Sequence, residues 1–110
     1  MKTLTAIKIN TIDITALEWF DKVNGNSYFS ATVTLNYGTP EQKEIKLPFQ
    51  YGYGSHYIDM AKQELVKLGL IETDRPMQAL WSYCEEHKII LRTNKYENCK
   101  KRELYNPSKY

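Results

Sequence analysis

Cysteine is scarce in this chain, and what little there is carries no framework. Cys84 and Cys99 are the only two, too few for a disulfide scaffold. They lack the close spacing and histidine partners of a zinc site. They read as two reduced thiols, structural or at the surface. Long hydrophobic runs are missing as well: no stretch approaches the roughly 18 apolar residues that a membrane-spanning helix needs. The first residues, Met1-Lys2-Thr3-Leu4-Thr5-Ala6-Ile7-Lys8, place charges where a secretory leader needs an apolar core. The expectation is a cytoplasmic protein with no membrane partner. Catalytic signatures are also wanting. There is no Gly-x-Ser-x-Gly, no His-Glu-x-x-His, no phosphate-loop Gly-Lys-Ser and no Cys-x-x-Cys. The two histidines, His56 and His87, fall on different predicted helices, with no identifiable partner to position either for proton transfer. The chain is therefore read as a non-enzyme with no catalytic residue, metal or cofactor, and a hydrolase built on His56 or His87 ranks last.

What is present suits one ordinary domain. The chain has 110 residues, 42% of them apolar and 25% charged, which is enough to fold without a metal or disulfides. A net charge of +2 conceals an asymmetry. Residues 1–87 carry 8 Lys/Arg against 11 Asp/Glu, whereas residues 88–110 carry 7 against 2. A mildly acidic body thus ends in a basic tail, a pattern that can point to an anionic partner.

The pattern predicts an α+β fold. An antiparallel sheet of three to five strands is covered by two helices, in the order β-β-β-(β)-α-α-β. Thr3–Ile9 and Ile12–Phe20 read as extended. Asn24-Gly25 predicts a two-residue hairpin turn, since both residues accept positive φ, and this pairs Val23 with Asn26 and Phe20 with Phe29. Phe29, Ala31, Val33 and Leu35 alternate with Ser30, Thr32 and Thr34, the period of a strand with one buried face. Facing Phe20 to the core would bring Glu18 with it and leave Leu17 and Trp19 outside, a conflict that a bulge near residues 16–18 would resolve. Ile45, Leu47 and Phe49 alternate again, and Pro48 predicts an edge strand or a bulge. Ser55 is a candidate N-cap for a helix with the apolar stripe Tyr57, Ile58, Ala61, Leu65 and Leu68, ended by Gly69. A second helix is expected from about Asp74, with Pro76 in its first turn and Met77, Leu80, Trp81 and Cys84 facing the core. Ile89-Ile90-Leu91 reads as a last strand. The domain is expected to span residues 1–93, with 94–110 a basic, irregular tail.

The candidate binding residues fall in two segments. Tyr51, Gly52, Tyr53, Gly54, Ser55 and His56 lead from a strand into a helix N-terminus, where backbone N–H groups favour anions and glycines let a ligand come close. The tyrosines could stack on a base. Alternatively, the glycines only make a turn and the tyrosines only cover the sheet. The geometry predicts a positive φ at Gly54 and an exposed Tyr51 or Tyr53 beside it. Lys100, Lys101 and Arg102 in the tail could track phosphates or remain solvated as chain ends commonly do.

Two blocks, Trp19-Phe20-Asp21-Lys22-Val23-Asn24-Gly25-Asn26-Ser27-Tyr28-Phe29-Ser30-Ala31 and Leu47-Pro48-Phe49-Gln50-Tyr51-Gly52-Tyr53-Gly54-Ser55-His56-Tyr57, resemble short uncharacterised accessory proteins encoded by bacteriophages and prophages. The resemblance covers about residues 4–71 and leaves the tail outside. It implies a viral protein in the cytoplasm of a bacterial host cell. Such a protein would act by stoichiometric binding, inhibiting a nucleic-acid-targeting defence system in the manner of an anti-CRISPR. Its partner would be a bacterial host protein or a protein–nucleic acid complex. The alternative is direct binding of nucleic acid or a nucleotide messenger through the Gly52–His56 turn and the basic tail. For a messenger held in a shared pocket, a homo-oligomer is expected.

Overall fold

The computed structural model describes residues 8–72, 75 and 77–105. Its elements are β1 (Thr11–Asp21), β2 (Asn26–Leu35), β3 (Lys43–Tyr51), α1 (His56–Lys67), α2 (Leu80–Glu86), β4 (Ile90–Tyr96) and α3 (Lys101–Tyr105). The class is α+β, and the sheet order is β3-β2-β1-β4. The β1–β2 and β2–β3 pairs are antiparallel. β4 lies parallel to β1, with Thr11 opposite Ile90 and Leu17 opposite Tyr96. The sheet is therefore mixed rather than antiparallel, because the two helices between β3 and β4 carry the chain back across it. Residues 94–105, expected as irregular tail, instead finish β4 and form α3. Residues 106–110, and the expected extension over residues 3–7, lie outside the described residues.

The alternation in β2 does what its spacing requires. Phe29, Ala31, Val33 and Leu35 are buried with Ile12, Ile14 and Ala16 of β1 and Ile45 and Leu47 of β3. Tyr57, Ala61 and Leu65 of α1 and Leu80, Tyr83 and Cys84 of α2 close this core. Gly69 follows α1 with φ 75° and ends it, as its place after the apolar stripe predicts. The second helix differs from expectation. It starts at Leu80, Met77 is 94% exposed and Trp81 is exposed. The face that packs is Leu80, Tyr83 and Cys84. Asp74 and Pro76 lie outside the described residues. Burial pushes the Cys84 thiol up to about 11, and both cysteines are free and buried.

The hairpin turn is longer than the two-residue loop predicted from Asn24-Gly25. Asp21 pairs with Asn26, and Phe20 with Ser27. The Asp21 carboxylate accepts from the N–H groups of Val23 (3.0 Å) and Asn24 (3.3 Å) and from the Asn24 side chain (2.8 Å). These bonds, the Asn24 side chain foremost, hold the Asp21 carboxyl below its usual range. At the other end of the sheet, Asn36 is buried at φ 54°. Its amide accepts from Asn10 N–H at 2.7 Å and donates to Lys8 C=O at 2.9 Å, which ties the entry of β1 to the exit of β2.

The conflict at Glu18 has a different solution from the expected bulge. β1 pairs without interruption, so Glu18 does face the helical layer, and Leu17 and Trp19 face the opposite side. There α3 covers them, and Leu17, Cys99 and Leu104 form a second, smaller core with Trp19, Tyr28 and Phe49 packed against it. The bulge lies instead between β2 and β3, where Ala31 pairs with Leu47 but Phe29 pairs with Gln50. It moves Phe49 to the far face of the sheet from Leu47. Pro48 thus sits on an edge strand and at a bulge.

Candidate binding surface

The strand-to-helix turn forms at the hairpin end of the sheet. Gly52 N–H donates to Ser27 C=O at 3.1 Å. A β-carbon on Gly52 would lie 2.6 Å from His56 Cδ2 and 2.7 Å from Phe29 Cε1, so this glycine is required by close packing. Gly54 takes φ 63° with open space around it, the positive φ that the turn predicts. Tyr51 is 56% exposed and Tyr53 66%, again as the geometry predicts. Tyr51 to His56 and Asp59 line a shallow depression of about 560 Å³.

The anion reading of this depression draws little support from its electrostatics. His56 N–H already donates to Tyr53 C=O and Ile58 N–H to Ser55 C=O. Ser55 occupies the N-cap position but makes no side-chain cap, and Asp59 brings a negative charge into the first turn. The nearest cation, Lys95, is committed to Glu18 (3.0 Å), Glu97 (3.3 Å) and Gly54 C=O (3.2 Å). Burial alone would lower the pKa of Lys95, but the hydrogen bonds and charges of the two glutamates outweigh it and raise the value.

The tail residues sit on the opposite face of the sheet. Cys99 N–H donates to Glu18 C=O at 3.0 Å and starts the crossing. The Glu103 side chain accepts from Lys100 N–H at 2.7 Å and caps the helix start. Beneath α3 the rings form a stacked series: Trp19 on Tyr28 at 5.6 Å, inclined by 28°, then Tyr28 on Phe49 at 5.1 Å and Phe49 on Tyr105 at 4.7 Å, both near-parallel. Lys101 Nζ lies 5.5 Å from the Trp19 ring centre, so α3 covers the series at both ends. Tyr51 meets Tyr28 edge-on at 5.8 Å. The aromatic series thus connects the turn to Lys101, half the chain away in sequence, while Arg102 on the same short helix and Lys100 just before it are exposed. Sequence reasoning missed Trp19, Tyr28, Phe49 and Tyr105 as one cluster. The signal that could have found it was the displaced pair Leu17 and Trp19, which asked for a second covered face.

The two histidines stay apart in role. His56 rests edge-on against Phe29, and His87 stacks on Tyr83 at 4.1 Å. Among the described residues no group of three or more His, Cys, Asp or Glu could hold a metal ion, and no helix is long and apolar enough to cross a membrane. Comparison of the chain with protein-family models, with curated proteins and with solved structures finds no match in any of the three, so the residues themselves carry the functional reading.

Proposed function

We propose that this chain works by stoichiometric binding, engaging a bacterial host protein through the hairpin end of its sheet. One observation carries the reading. Tyr51 and Tyr53 are both exposed and line one depression at that end, with Phe20 and Val23 exposed at the neighbouring hairpin. Aromatic residues are enriched at protein interfaces, and exposed ones grouped at one site are their usual anchors. A standard interface takes about 800 Å² from each partner, about a ninth of the 7229 Å² surface of the described chain. The resemblance to phage accessory proteins supports the setting: an inhibitor of a nucleic-acid-targeting defence. The test is affinity capture from host lysate with the native chain and with the Tyr51→Ala, Tyr53→Ala double variant, together with a plaque assay on a defended host. A partner held by the native chain and lost by the variant, with loss of phage protection, is the expected result. Equal capture by both, or no effect on plaques, would sink the reading.

A second reading, direct nucleic-acid binding, draws on the Lys101–Trp19 contact with Lys100 and Arg102 alongside. It predicts affinity for single strands that falls with salt, since phosphate contacts release counterions. An absence of any mobility shift at low salt would remove it.

A further inference from the structure

We propose that the sheet face beneath α3 is a peptide-docking site for which α3 is only the intramolecular occupant. Its occupant in trans would be a short helical segment of a partner protein, carrying a cation followed three and four residues later by leucine and an aromatic ring. The site adjoins the hairpin-end surface where Tyr51 meets Tyr28, but it stands whether or not that surface binds a host protein.

The first argument is the nature of the cover. α3 has five residues, far below the roughly 12–15 at which an isolated helix holds itself together. It persists through its contacts: Leu104 buried against Leu17 and Cys99, Tyr105 stacked on Phe49, and Lys101 over Trp19. Two of these three side chains, Lys101 and Tyr105, are otherwise exposed. A cover so small can open locally without loss of the main core, which lies on the other face of the sheet.

The second argument is that α3 does not fill what it covers. Beside it lies a recess of about 320 Å³ lined by Ser30, Thr32, Lys46, Phe49, Leu104 and Tyr105. At its floor the Ser30 hydroxyl is buried and has no hydrogen-bond partner among the described residues, an arrangement that native structures seldom leave unanswered. At its rim Lys46, among the described residues, reaches only the exposed Glu44, at 3.7 Å. The recess therefore offers a hydroxyl and a cation that α3 leaves unengaged, and the series beneath is capped by a cation at one end and a ring at the other. A longer segment with the same cation-Leu-aromatic spacing, and a carboxylate or amide placed toward Ser30 and Lys46, would satisfy all of these groups together.

The test uses the full chain with Trp81→Phe, so that Trp19 is the only tryptophan. Leu104→Asp opens α3; because it could also disturb folding, Lys101→Ala with Tyr105→Ala, which changes only exposed side chains, is made in parallel. The probe is a synthetic peptide of residues 98–105 with Cys99→Ser. In the opened variants Trp19 emission should shift to the red, and saturating peptide should restore it. The unopened chain should bind the same peptide at least about tenfold more weakly, since the apparent affinity falls with the fraction of chains whose site is free. A peptide with Tyr105→Ala should lose most of the effect. Amides of residues 99–105 should exchange with solvent at least about tenfold faster than those of β1 and β2. If folded, opened variants fail to bind the peptide, or bind its Tyr105→Ala form equally well, or if α3 amides are as protected as the central strands, the proposal is overturned.

Discussion

Gly52→Ala should be among the most damaging single-atom changes available at the candidate surface. The added β-carbon would sit 2.6 Å from His56 Cδ2, 2.7 Å from Phe29 Cε1 and 3.0 Å from Phe29 Cδ1. His56 is exposed and can swing aside, but Phe29 is only 2% exposed and packed on all sides. Overpacking of this kind costs about 1–3 kcal/mol, and the immobility of Phe29 places this case in the upper part of that range, at about 2–3 kcal/mol. For a domain of this size that is a fall of roughly 10–15 °C in melting temperature. Gly54 provides the internal control. It has φ 63° and nothing within 4 Å of its would-be β-carbon, so Gly54→Ala meets only the left-handed backbone penalty of about 1 kcal/mol. Adding His56→Ala to Gly52→Ala relieves one contact and leaves the Phe29 clash, so less than half of the loss should return. Urea and thermal unfolding followed by circular dichroism measure all four chains. A Gly52→Ala stability within about 0.5 kcal/mol of native, the size of an ordinary surface change, or no worse than Gly54→Ala, would refute the packing argument.

Other perturbations separate binding from folding. Tyr53→Ala should leave the melting temperature within about 2 °C of native, while Tyr51→Ala should cost about 0.5–1.5 kcal/mol through loss of its edge contact on Tyr28; a large fall for Tyr53→Ala would mark that ring as core. Glu18→Gln breaks a largely covered ion pair with Lys95 and should cost about 1–2 kcal/mol near neutral pH, between the exposed and buried limits. Because the Lys95 pKa is raised above 10.5, that contribution is complete below pH 10.5 and fades as pH rises through the folded value; a native-minus-variant difference that grew with alkalinity would contradict the assignment. Asn36→Ala should cost about 2–4 kcal/mol, since it strands backbone groups of Lys8 and Asn10 and forces alanine into positive φ. Asn36→Gly, which removes only the second burden, should be milder by about 1 kcal/mol on chemical denaturation.

Much of the main core could be read from spacing alone. β2, the stripe of α1, the stop at Gly69 and the edge position of Pro48 each rest on a local rule, and each formed accordingly. The errors share a different origin. Asn24-Gly25 does look like a two-residue turn, but the Asp21 carboxylate gathers three donors and lengthens it, a side-chain effect that periodicity does not register. Phe49 continues the alternation of Ile45 and Leu47 in sequence, yet one bulge moves it to the other face. Trp81 has helical spacing to Cys84, but α2 begins only at Leu80, and the packed face is set by Tyr83. The largest omission, α3, is a segment whose own sequence is charged and short. Only the apolar residues it covers, distant in the chain, make it a helix. For the candidate surface, the exposed tyrosines and the φ of Gly54 were legible because a turn has local geometry, whereas the aromatic series required knowledge of three strands at once.

The parallel pairing of β4 with β1 bears on how the chain comes together during synthesis. Asp13 meets Arg92 across 79 positions, and β1 is paired on both edges only when β4 has arrived. Such distant pairing is slow to establish, because loop closure precedes any compensating contact. A nascent chain emerging at about 5–20 residues per second would therefore hold β1 to β3 as an open three-stranded sheet for several seconds. Throughout that interval Trp19, Tyr28 and Phe49 stand uncovered, with β1 offering an unpaired edge. The hazard for this protein thus lies in the interval before residues 90–105 arrive, and factors that delay their synthesis should aggregate the chain more readily than changes that weaken its finished core.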